Sequence, residues 1–144
     1  MKKIILIIIT IGILGAVGAY LYVFKFAAGH EDPLKSKDKV YINAPELYKY
    51  FTEHEDSANA LYLSKVISVT GQITSLELNE NRYTIYLDSK DSSGAISCEM
   101  DTTENATVRH MTEGTNVNIV GFCNGINIDV SLDRCKLEGV ILKN

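Results

Sequence analysis

The sequence predicts an all-β fold with added helices: a five-stranded Greek-key barrel, preceded by an amphipathic helix and an N-terminal transmembrane helix. Three observations lead there. The run from Ile4 to Phe24 holds 21 residues without a charge. Apolar residues then recur at helical spacing between Asn43 and Leu61. From Lys65 onward the apolar period changes to two, in five separate segments with one helical connection between the third and the fourth.

At about 1.5 Å rise per residue the first run reaches about 30 Å, the hydrocarbon thickness of a bilayer. It exceeds the core of a signal peptide, about 7–15 residues. Residues 1–25 are therefore expected to be a membrane anchor. Lys2 and Lys3 precede the run, and Lys25, Lys35, Lys37 and Lys39 follow it, so lysine counts alone leave the orientation open. A short lysine-bearing N-terminus has the form of an export signal, which favours a domain outside the cytoplasm. The rival is a cleaved signal peptide, with small residues at Gly15 to Ala19. No cysteine lies near the end of the run, so no lipoprotein anchor is expected.

Beyond the anchor, 11 lysines and arginines face 18 acids, a formal charge of −7. Such a field repels phosphate backbones unless a local basic patch overcomes it. Residues 26–42, polar and carrying Gly29 and Pro33, read as a linker. Residues 43–144 suit one domain with a core large enough to fold without staples.

The helix opens at Asn43, which can cap it, with Pro45 in the first turn and Glu46 three residues on. Leu47, Phe51, His54, Ala58 and Leu61 share one face. His54 is expected to be packed there rather than to bind a ligand. In the first strand Ile67, Val69, Gly71 and Ile73 share a face; the parity then slips, bringing Leu76 and Leu78 inward, as in a bulged and coiled strand. Asn79-Glu80-Asn81 turns the chain. Tyr83, Ile85 and Leu87 point inward from the second strand, with Arg82, Thr84 and Tyr86 on its outer face. Ile96, Cys98 and Met100 face inward from the third. Thr102 to Met111 loses the alternation and reads as a short helix. Val117 to Cys123 forms the fourth strand, Asn124-Gly125 a turn, and Ile128, Val130 and Leu132 the fifth, with another slip near Arg134. Five strands with a long bulged first strand and a helical third connection describe an OB-fold.

The segments Ala58 to Val66 with Val69-Thr70-Gly71, Ile96-Ser97-Cys98, Gly121 to Gly125 and Asp129 to Cys135 resemble the tRNA-anti-like group of small membrane-associated bacterial OB-fold proteins. The resemblance covers nearly the whole chain and implies the fold. It implies little about activity.

Three cysteines, Cys98, Cys123 and Cys135, suggest one disulfide and one thiol outside the cytoplasm, or three buried thiols. A third strand beside the fifth would bring Cys98 toward Cys135. A slight preference goes to Cys123–Cys135, because both sit in the segment most like the family. There is no CxxC, and His30, His54 and His110 are scattered, so neither zinc nor another metal or cofactor is expected. No nucleophile elbow, phosphate loop or HExxH occurs, and no enzymatic activity is expected. Asp88/Asp91, Glu99/Asp101 and Asp129 read as turn or surface carboxylates.

OB-folds take ligands on the outer face of strands two and three. Here that face offers Arg82, Thr84, Tyr86 and Glu99 as candidate ligand-binding residues, with Asp88, Ser97 and Asp101 nearby. One aromatic and one arginine among three carboxylates make a poor platform for single-stranded nucleic acid, which needs stacked rings and a basic groove. The expected function is a membrane-tethered, extracytoplasmic binding module with a protein partner. The alternative is an OB-fold for single-stranded nucleic acid or oligosaccharide.

Overall fold

Alternate residues of five long strands point into a common apolar interior, and that alternation closes the sheet on itself. The structure, a computed structural model, describes residues 12, 13, 15, 17, 18, 20 and 32–141. It divides into two units, 1–31 and 32–144. The described residues of the first are helical. Most of the anchor expected over Ile4 to Phe24 lies outside the described residues, among which no helix is long and apolar enough to cross a membrane.

The second unit carries β1 (Val40–Asn43), α1 (Ala44–Glu53), α2 (Glu55–Tyr62), β2 (Val66–Asn79), β3 (Arg82–Leu87), β4 (Ile96–Met100), α3 (Asn105–Val108), β5 (Asn116–Ile126) and β6 (Val130–Ile141). The order is β1-β2-β3-β4-β6-β5, and β2 pairs again with β5, closing a five-stranded barrel from β2 to β6. The pairs β2–β3, β3–β4, β2–β5 and β5–β6 are antiparallel, whereas β4 and β6 run parallel. This is the OB-fold.

One side of the barrel wall behaves as the alternation demands. Ile67, Val69, Ile73, Ile85, Leu87, Ile96, Met100, Val117, Ile119, Val130 and Leu132 are all buried. The first parity slip is a real register shift in β2 between Ile73 and Ser75. The slip near Arg134 is also real: Cys98 faces Leu132 but Met100 faces Cys135, one residue later than an unbroken ladder allows. Arg134 takes up the extra residue with a left-handed φ of 50°.

Four expectations need correction. Residues 40–43, read as the end of a linker and a cap, form a sixth strand parallel to Ile67–Thr70 of β2. Four residues are too few for alternation to announce a strand. The helix expected from Asn43 to Leu61 is broken at His54, whose φ of −142° and ψ of 54° leave the helical region. Glu55 and Asp56 then begin α2, where acids suit a helix N-terminus. His54 is consequently exposed, meeting the Tyr50 ring edge-on at 5.6 Å, and Leu61 is 48% exposed. Leu78 is 56% exposed, because β2 projects past the barrel into its turn. Finally, β5 continues through Asn124-Gly125, where a shift between Cys123 and Gly125 and a φ of 90° at Gly125 make a bulge. The turn falls at 127–129, and Ile128 is exposed.

The cap behaves as read. Asn43 Oδ1 accepts from the Glu46 amide at 2.9 Å, and Asn43 Nδ2 donates to Glu46 Oε2 at 3.1 Å. From there Ala44, Leu47, Tyr48 and Phe51 are buried against the barrel. Gly71 makes room: a Cβ there would meet Ala44 Cβ at 3.0 Å and Leu87 Cβ at 3.1 Å.

Candidate binding face on strands β3 and β4

The inward turn of Ile85 and Leu87 sends Arg82, Thr84 and Tyr86 outward. Register sets Thr84 opposite Glu99 and Tyr86 opposite Ser97. Arg82 and Glu99 form an ion pair across the two strands, through Nη1 and Oε1. The Glu99 carboxylate accepts a hydrogen bond from the guanidinium and holds the Arg82 proton more firmly than usual; its negative charge, then Asp133 and Asp101, add to this. Tyr86 Oη donates to Glu77 Oε2 at 3.3 Å. Partial burial raises the Tyr86 pKa, and the charge of Glu77 raises it further. The Asp101 carboxyl is held below the ordinary range, first by the Thr103 amide that donates to it at 2.9 Å.

The sequence-derived residues do not all share one site. Arg82, Thr84 and Glu99 line a cleft of about 580 Å³, together with Asn79, Glu80 and Thr102. Tyr86 lies outside that lining. Asn79 and Glu80 come from the β2–β3 turn, where Glu80 and Asn81 have positive φ of 47° and 68°. Asn105 Nδ2 pins this turn by donating to the Asn81 carbonyl at 2.8 Å. The turn was legible as a turn. That it borders a cleft depends on β3, β4 and Thr102 lying beside it, a juxtaposition no local pattern encodes.

The other carboxylates serve turns. Asp129 Oδ1 accepts from the Ala95 amide at 2.7 Å, Asp88 Oδ1 from the Lys90 amide at 2.8 Å, and Asp91 Oδ1 from the Ser93 amide at 2.8 Å. Among the described residues no group of three or more His, Cys, Asp or Glu is placed to hold a metal.

No bond joins Cys123 and Cys135, the pair preferred from sequence, in this structure. Cys98, Cys123 and Cys135 are free, buried thiols. Register sets Cys123 opposite Leu132, while Cys135 stands opposite Met100 on the neighbouring strand. The bulge at Arg134 turns Cys135 inward on the side of Cys98; burial, then the neighbouring Cys98 thiol, pushes the Cys135 pKa up.

Among solved structures, the chain is similar to a Klebsiella pneumoniae lipoprotein to which nucleic-acid binding is ascribed. The identity is 17%, the TM-score 0.56, and the match covers 76% of this chain and 98% of that one. A Leishmania major protein assigned as an aspartyl-tRNA synthetase matches at 9% identity and TM-score 0.49, over 76% of this chain and 22% of that one. A chain of the S. pombe Stn1-Ten1 complex matches at 18% identity and TM-score 0.41, over 50% of this chain; the match spans only 57% of that protein's length. No curated protein matches. The family profile described as tRNA_anti-like matches residues 1–137, so the chain belongs to the tRNA_anti-like family.

Proposed function

We propose that this protein is a binding module whose ligand docks in the cleft between Arg82, Thr84 and Glu99, and that an N-terminal span over Ile4 to Phe24 tethers it to a bacterial membrane with the domain outside the cytoplasm. The ligand assigned is a segment of a protein partner, neutral or cationic at the contact. One observation carries this: Arg82, the cation lining the cleft, is held by Glu99 and neighboured by Asp101 and Asp133. A phosphate there would have to displace a carboxylate already in place and accept the remaining acids.

A second reading, single-stranded nucleic acid, has its own support. The K. pneumoniae lipoprotein shares the fold, and nucleic-acid binding is ascribed to it. Phosphates on Arg82 and a base against Tyr86 would be the contacts.

Titration of the full chain in detergent with labelled single-stranded DNA and RNA, at physiological salt, separates the two. The expected result is binding no tighter than the non-specific range, Kd about 10⁻⁴–10⁻⁶ M. Tighter binding that weakens steeply with salt, and is lost in Arg82→Ala, would replace the protein ligand by nucleic acid. Crosslinking in native membranes, with a photoreactive residue at Thr84, is expected to capture a protein.

A further inference from the structure

Cys98 and Cys135 occupy diagonal positions on the parallel pair β4–β6, and both are wholly buried. An unbroken parallel ladder would place residue 134 opposite Met100. The bulge advances the strand by one, so an inward-facing thiol arrives there instead of Arg134. Space for it comes from β5. A Cβ on Gly121 would lie 2.5 Å from Cys135 Sγ, so only a glycine leaves the sulfur its position. Cys98 is the neighbouring thiol that, after burial, pushes the Cys135 pKa up. Cys123 is also diagonal to Cys135, on the opposite neighbour β5; burial pushes its thiol pKa up and the Gly125 amide opposes this.

We infer that Cys98 and Cys135 are a redox couple that closes to an interstrand disulfide when the protein folds in an oxidising compartment, with Cys123 remaining a thiol. The step balances through thiol–disulfide exchange with a small disulfide oxidant. One cysteine thiolate attacks the oxidant and releases one thiol. The second cysteine thiolate then attacks the mixed disulfide and releases the other. Two protons and two electrons leave the pair, and the oxidant becomes two thiols. Complete burial raises the Cys135 pKa, so its thiolate is scarce in the folded barrel. Exchange therefore belongs to folding, before β6 closes on β4. A bond here would tie the strand that follows α3 and β5 to the strand that precedes them, at the one parallel seam of the barrel proper.

The test uses the full chain, refolded in mixtures of oxidised and reduced glutathione, alkylated in denaturant and digested with trypsin. Cleavage after Lys90, Arg109 and Arg134 puts the three cysteines on separate peptides. The expected product links the Cys98 peptide to the Cys135 peptide, with two hydrogens lost and Cys123 alkylated. Cys123→Ser should leave the link unchanged. Cys98→Ser should leave Cys135 alkylated; should that variant fail to fold, the peptide map of the unsubstituted chain decides alone. A link containing Cys123, or three alkylated thiols at every glutathione ratio, overturns the assignment.

Discussion

Lys39 Nζ lies 2.6 Å from Glu138 Oε1, joining the segment ahead of β1 to the last strand of the barrel, 99 residues away. The other carboxylate oxygen accepts from Ser68 Oγ at 2.6 Å and Asn118 Nδ2 at 2.8 Å. Ser68 is completely buried, and Asn118 Oδ1 lies 2.9 Å from the same hydroxyl, competing with Glu138 for its single proton. A second tie, Lys136 to Asp32 at 3.4 Å, holds the same segment farther back. Residues 32–39 are thus seated on the barrel, with Pro33 buried.

Glu138→Ala should destabilise the domain by about 1–3 kcal/mol, because Ser68 and Asn118 lose an acceptor at a mostly buried site. The effect depends on pH. The hydrogen bond from Lys39, then that from Ser68, hold the Glu138 carboxyl below its ordinary value. A depressed folded pKa means stability present above the unfolded pKa and lost as pH falls through the folded one. Thermal unfolding should therefore separate the two proteins at pH 7 and bring them together as the pH drops below the ordinary carboxylate range. A gap that stays constant into acid would show that Glu138 acts by packing alone.

Gly94→Ala should cost about 1–3 kcal/mol through overpacking. A Cβ there would lie 2.5 Å from both the Ile128 carbonyl oxygen and Tyr48 Oη. Those two atoms share a 3.3 Å hydrogen bond that ties α1 to the β5–β6 turn. Denaturant melts should show a lower midpoint with an unchanged slope. Adding Tyr48→Phe should recover part of the loss, since one of the two clashing atoms is then gone.

Glu99→Gln should release Arg82 from its carboxylate and leave a guanidinium facing the cleft. Affinity for single-stranded nucleic acid should rise several-fold, with a steeper fall in added salt, while any protein ligand that meets Glu99 with a cation should weaken. Parallel titrations of the two proteins check this. Unchanged nucleic-acid affinity would mean that the Arg82–Glu99 pair does not gate the face.

Replacing Ile8 and Leu14 by lysine should release the protein from membranes, because each charge near the centre of a span costs about 2.5–3.5 kcal/mol on insertion scales. Fractionation of cells expressing each form reads this directly. An unsubstituted protein found in the soluble fraction and processed after Ala19 would remove the anchor.

The barrel wall and its two slips were legible because the inward or outward choice of each residue is local. Ile67, Val69 and Ile73 bury their side chains by strand geometry alone, and the change of parity after Ile73 or at Arg134 can only be a bulge. Asn43 and Glu46 likewise announce a helix start, because a cap is satisfied within four residues. What only the tertiary structure decided is who faces whom. Val40–Asn43 become a strand because β2 offers an open ladder beside Ile67–Thr70. Glu99 pairs with Arg82, and Thr102 joins Asn79 and Glu80 along one cleft. Cys135 faces inward beside Met100, diagonal to Cys98, because a one-residue bulge turns it across β4–β6 and Gly121 leaves room for its sulfur. These partners are set by barrel closure, which joins residues tens of positions apart through bonds no single segment contains. The periodicity of a chain encodes which way each side chain points; the closure of the sheet determines what it touches.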